Sequence, residues 1–133
     1  LVLELARIQA RGRIYAPRAA IWTSNRTYLE PDLFYVSSAT EARQDPEHRT
    51  TADLVIEVIS PGSAIYDRNT KADTYAALAV NELWLVDEIK EVVEVRSLSG
   101  DRFLEGEFFA KGDQLISNIV PGITIAVTRI FED

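Results

Sequence analysis

A carboxylate stands where the surrounding sequence is otherwise apolar. Glu57 interrupts the run Leu-Val-Ile-Glu-Val-Ile-Ser at 54–60, the strongest strand pattern in the chain. Burying an unpaired carboxylate is costly unless a cation or a hydrogen-bonding cluster compensates it. Asp32 poses the same question at the head of a second apolar run, 33–37. Two carboxylates on adjacent strands are the oxygen ligands that Mg²⁺ or Mn²⁺ prefers, so the pair predicts a divalent-cation site.

An amine is expected to complete this site. Lys71 follows Glu57 by fourteen residues, early in a helix predicted from about 67 to 79. If that helix packs back on the sheet beside the strand end, the Lys71 ammonium can face the cation. There it would stabilise charge developing on a phosphate and orient an attacking water. Asp67 is four residues before Lys71 on the same helix face, where it could pair with Lys71 or act as the N-cap.

The elements that position these residues follow from hydrophobic periodicity and turn residues. Helices are predicted at 1–10, ending at Gly12, and at 67–79, and strands at 13–16, 19–22, 33–37, 54–60, 83–86, 92–97, 102–109 and 123–127. The polar segment 40–51 predicts a loop, in which His48 is expected to be exposed and without a functional role. This order predicts an α/β fold: a central mixed β-sheet flanked by helices, with an antiparallel meander in the C-terminal half.

The length and composition of the chain limit the number of domains, the location of the protein and the kinds of site that it can contain. The 133 residues fit one domain, 1–133, with a hydrophobic fraction of 47%. No apolar run is long enough to span a membrane, and no secretion signal opens the chain, so a cytoplasmic location is expected. The absence of cysteine excludes disulfides, zinc fingers and thiol catalysis. A start at Leu1 without methionine predicts that the natural N-terminus is missing.

The charge distribution limits contact with nucleic acid. The net charge is −7, which divides into +1 over residues 1–50 and −8 over residues 51–133. Proteins that bind duplex DNA electrostatically are usually basic, because affinity comes largely from neutralising phosphates. Residues 5–29 nevertheless carry five arginines and no acid. We therefore expect DNA binding by this chain alone to be weak and salt-sensitive, with the contact either local to that stretch or supplied by a partner.

Several motifs together resemble one family. They are Pro31-Asp32, the block Ala-Asp-Leu-Val-Ile-Glu-Val-Ile-Ser-Pro-Gly-Ser at 52–63, the trio Asp67, Lys71 and Tyr75, and Glu-Leu-Trp-Leu-Val-Asp at 82–87. This combination is similar to the Uma-two family, a widespread bacterial family described as restriction endonucleases of the PD-(D/E)XK fold. The resemblance runs from about Gly12 to the end and is most specific over 53–87. Gly62 and Leu83 replace a common Ser and a common Tyr of the family.

The resemblance implies roles for individual residues. Asp32 and Glu57 would bind Mg²⁺ or Mn²⁺, the backbone carbonyl of Val58 would complete the metal shell, and Lys71 would be the catalytic lysine. The superfamily's lysine two residues after the acid is missing, since Ile59 stands there, and Lys71 occupies the relocated position on the helix. Four further residues are candidates for supporting roles, each with a structural alternative. Asp53 and Glu4 would be extra metal ligands, or else a strand-start residue and a surface acid. Asp67 would be a partner to Lys71, or else a cap, and the Tyr75 hydroxyl would lie near the site, or else Tyr75 only packs the helix on the sheet.

Three functions remain open on these grounds. The first is a metal-dependent endonuclease that hydrolyses phosphodiester bonds in DNA. The second is a catalytically silent nuclease-fold module acting in protein–protein interaction, which the −8 balance of residues 51–133 favours. A small-molecule binding domain is third, because no phosphate loop or cofactor fingerprint is present. A homodimer is expected, since a β meander has edges to cover.

Overall fold

A seven-stranded sheet dominates the described part of the chain. The computed structural model describes residues 12–59, 65–120 and 124–131, and of residues 65–68 it describes the backbone without the side chains. The strands are β1 (Gly12–Tyr15), β2 (Ile21–Trp22), β3 (Tyr28–Leu29), β4 (Leu33–Ser37), β5 (Leu54–Ile59), β6 (Glu82–Asp87), β7 (Val92–Ser99), β8 (Arg102–Phe103), β9 (Glu107–Ala110), β10 (Gln114–Ile116) and β11 (Thr124–Ala126). The helices are α1 (Ser38–Glu41), α2 (Ile65–Ala77) and α3 (Val127–Ile130). None of these helices is long and apolar enough to cross a bilayer.

The sheet is mixed, as predicted. Its order is β1-β4-β5-β6-β7-β8, with β9 also paired to β7. Strands β5 and β6 are parallel and the other pairs are antiparallel. A parallel pair needs a crossover connection, and α2 lies in that connection. Two small hairpins, β2–β3 and β10–β11, stand outside the main sheet.

Strand β5 divides the core because its side chains alternate between the two faces. Leu54 and Ile56 face the cluster that contains Trp84, Leu115 and Ile125, on the side of the β10–β11 hairpin. On the other face Val55 packs in a second cluster, which includes Ile21 of β2 and residues of α2. Glu57, two residues after Val55, therefore points to the α2 side of the sheet.

Several element boundaries differ from the sequence prediction. Helix α2 begins at Ile65, so Asp67 is its third residue and the N-cap interpretation was wrong. Residues 38–41, which overlap the start of the predicted loop 40–51, form α1, because Ser37 Oγ accepts from Thr40 N and caps the turn. The predicted strand 102–109 is split into β8 and β9, both paired with β7. Gly12 starts β1; the predicted helix 1–10 lies outside the described residues.

His48 is also less exposed than predicted. It is half-buried, and its ring stacks on that of Trp22 with centroids 4.7 Å apart and an interplanar angle of 19°. The Trp22 amide donates to the Arg49 carbonyl at 2.7 Å, so β2 is attached to the segment that carries His48. A polar composition alone did not reveal this long-range contact.

Candidate active site

The register of β4 and β5 brings the two predicted acids together. Leu33 pairs with Ile56 in this antiparallel ladder, so Asp32, one residue earlier, extends the ladder opposite Glu57. Directly opposed residues place their side chains on the same face. The Asp32 carboxylate accepts a hydrogen bond from Val58 N at 2.7 Å through Oδ2. Asp32 is thereby held beside the residue that follows Glu57.

Helix α2 brings two further groups to Glu57. The Tyr75 hydroxyl donates to Oε1 of Glu57 at 2.9 Å, and Lys71 Nζ lies 3.5 Å from Oε2. Lys71 and Tyr75 are four residues apart, one helical turn, which puts both on the same face of α2. Glu57 is 9% exposed and Tyr75 is 1% exposed, whereas the Lys71 side chain is 45% exposed. The structure thus brings Asp32, Glu57, Lys71 and Tyr75 together at one end of β5.

Burial dominates the electrostatics of this cluster. Burial raises the pKa of Glu57, and the nearby Lys71 ammonium and Tyr75 hydroxyl only partly oppose that shift. The charge of Asp32 raises the Glu57 pKa further. Burial also raises the pKa of Tyr75, as does the neighbouring Glu57. The ionised form of Glu57 is therefore incompletely compensated by the protein, and an added cation would stabilise it.

The donor set suits a divalent cation of the Mg²⁺ type. Two carboxylates meet here, and within the described ranges Oδ1 of Asp32 has no hydrogen-bonding partner. No group of three or more His, Asp or Glu side chains suitable for a metal occurs in the described part of the chain. Mg²⁺ commonly needs only one or two carboxylates, because water and substrate phosphate fill its other positions. Asp32 and Glu57 fit that requirement, and the Val58 carbonyl as a third ligand stays a prediction.

Asp53 lies away from this cluster. It precedes β5, four residues and roughly 13 Å along the strand from Glu57. Its Oδ2 accepts from Ser37 N at 2.6 Å and its Oδ1 accepts from the Thr40 hydroxyl at 2.9 Å. Asp53 therefore anchors the start of α1 at the opposite end of the β4–β5 pair. Its geometry supports the structural alternative rather than metal binding.

Glu4 and the side chain of Asp67 lie outside the described residues. The backbone of Asp67 is in the first turn of α2, four residues before Lys71.

Glu82 is a third buried acid, beside Asp53 and Glu57, and no role was predicted for it from the sequence. Its side chain is fully buried and accepts hydrogen bonds from Trp84 Nε1 at 2.6 Å and from Ser117 Oγ at 3.3 Å. Burial raises the pKa of Glu82, against the effect of these donors. The same signal that singled out Glu57, an acid in an apolar strand, was present at the start of β6. Here the partners indicate a structural tie between β6 and the segment before β11.

A third polar cluster joins β1 to α1. The Tyr15 hydroxyl donates to Glu41 Oε2 at 2.6 Å, and Arg49 Nη2 donates to the same oxygen at 2.9 Å. Arg49 also lies over the Tyr15 ring, 4.2 Å from its centroid. Hydrogen bonding with Arg49 lowers the pKa of Glu41. Tyr15, Glu41 and Arg49 thus bond to one another, which is consistent with a structural role.

Comparison with known proteins identifies the family. No curated protein matches the chain. The crystal structure of a "putative nuclease belonging to DUF820" from Anabaena variabilis ATCC 29413 is similar with a TM-score of 0.73 and 14% identity, over 98% of this chain and 73% of that one. That likeness confirms the predicted fold. The family model Uma2, described as "Putative restriction endonuclease", matches residues 1–128, so this chain belongs to the Uma-two (Uma2) family.

Proposed function

We propose that this protein is a metal-dependent endonuclease that hydrolyses phosphodiester bonds in DNA. Membership of a family described as "Putative restriction endonuclease" supports a nuclease, as does the similar fold of a protein named a "putative nuclease". The observation that carries the proposal is the meeting of Asp32, Glu57 and Lys71 at one end of β5.

In this proposal, different residues of the chain bind the metal ion, position a ligand of that ion and contact the phosphate. A bound Mg²⁺ or Mn²⁺ would supply Lewis-acid stabilisation of the phosphate and a more acidic water. Asp32 and Glu57, with the Val58 carbonyl, would hold that ion. Tyr75 is a positioning residue, because its hydroxyl fixes one oxygen of Glu57. Lys71 has nearly half of its side chain exposed, so its ammonium is accessible to a phosphate arriving from solvent.

Specific observations favour the alternative, a catalytically silent module that binds another protein. Both oxygens of Glu57 already have partners on α2, and Oδ2 of Asp32 already accepts from Val58 N. The acidic balance of residues 51–133 also opposes a DNA-binding surface on that part of the chain.

Pairing of two copies stays a prediction under either function, and light scattering in solution measures it.

A plasmid-nicking assay separates the two functions. Wild type is compared with Lys71→Ala in Mg²⁺, in Mn²⁺ and in EDTA. Lys111→Ala is a matched control, because the Lys111 side chain is 49% exposed and also pairs with a glutamate, Glu91. Removing a group that stabilises transition-state charge commonly costs about 10²–10³-fold in rate, so Lys71→Ala should lose that much and Lys111→Ala almost nothing.

Two results would count against the nuclease. Nicking at the same rate by Lys71→Ala and wild type would show that the cleavage comes from another site. Wild type that leaves the plasmid intact with both metals would favour the silent module.

A further inference from the structure

Aromatic side chains form an open surface on the β2–β3 hairpin. Trp22 and Tyr28 pair across the two strands with ring centroids 4.7 Å apart, and His48 stacks on Trp22 at the same distance. Tyr28 is 47% exposed, and Trp22 is only half-buried. A cross-strand pair of this kind stabilises a short hairpin by itself. This stabilising role does not require nearly half of the Tyr28 side chain to be exposed to water.

Two exposed arginines lie in the segment that carries the hairpin, whereas two exposed acids, Asp45 and Glu47, precede His48. Arg18 and Arg26 are exposed, and neither forms an ion pair with any residue that the structure describes. From Gly12 to Leu29 the chain contains no acid, and Glu30 is the first acid after the hairpin. In a protein of net charge −7, this is a local region suited to a polyanion.

The hairpin lies on the same side of the sheet as the candidate active site. Ile21 is fully buried in the cluster that contains Ala72 and Tyr75 of α2, and Leu29 packs against that cluster. Tyr28 is four residues before Asp32, so their Cα atoms are at most about 14 Å apart. Nucleotides in a duplex strand rise by about 3.4 Å, and those of an extended single strand are farther apart, so the hairpin is at most about four nucleotides from the acids.

We infer that the aromatic surface formed by Trp22, Tyr28 and His48 binds an unpaired base of single-stranded DNA, with Arg18 and Arg26 contacting the adjacent phosphates. This inference rests on the proposed function and narrows its substrate to DNA with a single-stranded segment beside the scissile bond. Every base has an aromatic face, so stacking of this kind gives binding without sequence preference. Paired bases are stacked inside the duplex, so an uninterrupted duplex would bind more weakly.

Tryptophan fluorescence tests binding without chemistry. The chain has two tryptophans, and Trp84 is fully buried, so Trp22 is the one that reports a stacked base. In EDTA, titration with a single-stranded oligothymidine should quench Trp22. Tyr28→Ala should weaken the Kd roughly 5- to 150-fold, the range measured for loss of one stacking partner. Tyr28→Phe should retain wild-type affinity, because it keeps the ring.

A control variant and a salt series complete the experiment. Phe108→Ala removes another exposed aromatic ring, 65% exposed on β9, and should leave the Kd unchanged. Arg26→Ala should reduce the slope of log Kd against log salt by about 0.7, the value for one phosphate contact on a single strand.

Three outcomes would overturn the inference: no quenching, equal Kd for wild type and Tyr28→Ala, or equal affinity for a blunt duplex. None of them depends on cleavage, so the nuclease proposal would stand or fall separately in the nicking assay.

Discussion

Tyr75→Phe removes one hydroxyl from the candidate site and leaves its shape unchanged. In the wild type this hydroxyl donates to buried Glu57 Oε1 at 2.9 Å. Lys71 is the only other side chain bonded to Glu57 among the described residues, and its contact is long at 3.5 Å. A hydrogen bond to a charged group contributes about 1.5–3 kcal/mol, so the variant should lose that much unfolding free energy at a pH above the folded-state pKa of Glu57, where the carboxylate is ionised.

The loss should depend on pH in a defined direction. The pKa of Glu57 is raised by burial, so near pH 4 the carboxyl of the folded protein is mostly protonated. A hydrogen bond between neutral groups contributes only about 0.5–1.5 kcal/mol, and the loss should shrink accordingly. In the wild type, the pKa of Glu57 is higher in the folded state than in the unfolded state. The contribution of Glu57 to stability is therefore fully present below the unfolded-state pKa and is lost as pH rises through the folded-state pKa.

Urea unfolding of wild type and variant at both pH values measures the difference. Tyr28→Phe is the control, because it removes a phenol hydroxyl from an exposed tyrosine and should change stability by less than about 0.5 kcal/mol. A Tyr75→Phe penalty that is equal at both pH values, or no larger than that of the control, would refute the assignment of this hydroxyl to an ionised Glu57.

Two further variants test the structural acids. Asp53→Ala should lower the unfolding free energy by about 1.5–3 kcal/mol, since Ser37 N and Thr40 lose a charged acceptor. Calorimetry should give the same Mn²⁺ affinity for this variant as for wild type. Weaker metal binding would make Asp53 part of the metal site. Because burial raises the pKa of Glu82, wild-type stability should fall as pH rises through the folded-state value, and Glu82→Gln should flatten this slope in urea unfolding from about pH 4 to neutral pH. A slope identical to wild type would contradict the assigned effect of burial.

The candidate site could be predicted because its signal is local. An acid inside an apolar strand conflicts with the pattern around it, and Glu57 shows that conflict within seven residues. The pairing with Asp32 then needed only adjacent strands, which the antiparallel β4–β5 register provides. Lys71 and Tyr75 share a helical face by spacing alone. The family resemblance added roles to residues that the pattern had already singled out.

Other features depended on contacts between distant parts of the chain. Helix α1 has only four residues and no hydrophobic period, and Asp53, thirteen residues after Thr40, holds it in place. An acid at the start of a strand has the same sequence appearance whether it binds a metal or a backbone amide. Glu82 accepts a hydrogen bond from Ser117, which lies 35 residues later in the sequence, and no local rule predicts that partner. These contacts are set by tertiary packing.

We propose that Asp32 and Glu57 share one divalent cation. Isothermal titration of Mn²⁺ into wild type, Asp32→Asn and Glu57→Gln tests it directly, with Asp53→Asn as a control carboxylate at the other end of β5. Wild type and Asp53→Asn should bind with one common affinity, and each of the other two variants should bind much more weakly. Equal Mn²⁺ affinity in wild type and Glu57→Gln would contradict the proposed metal site.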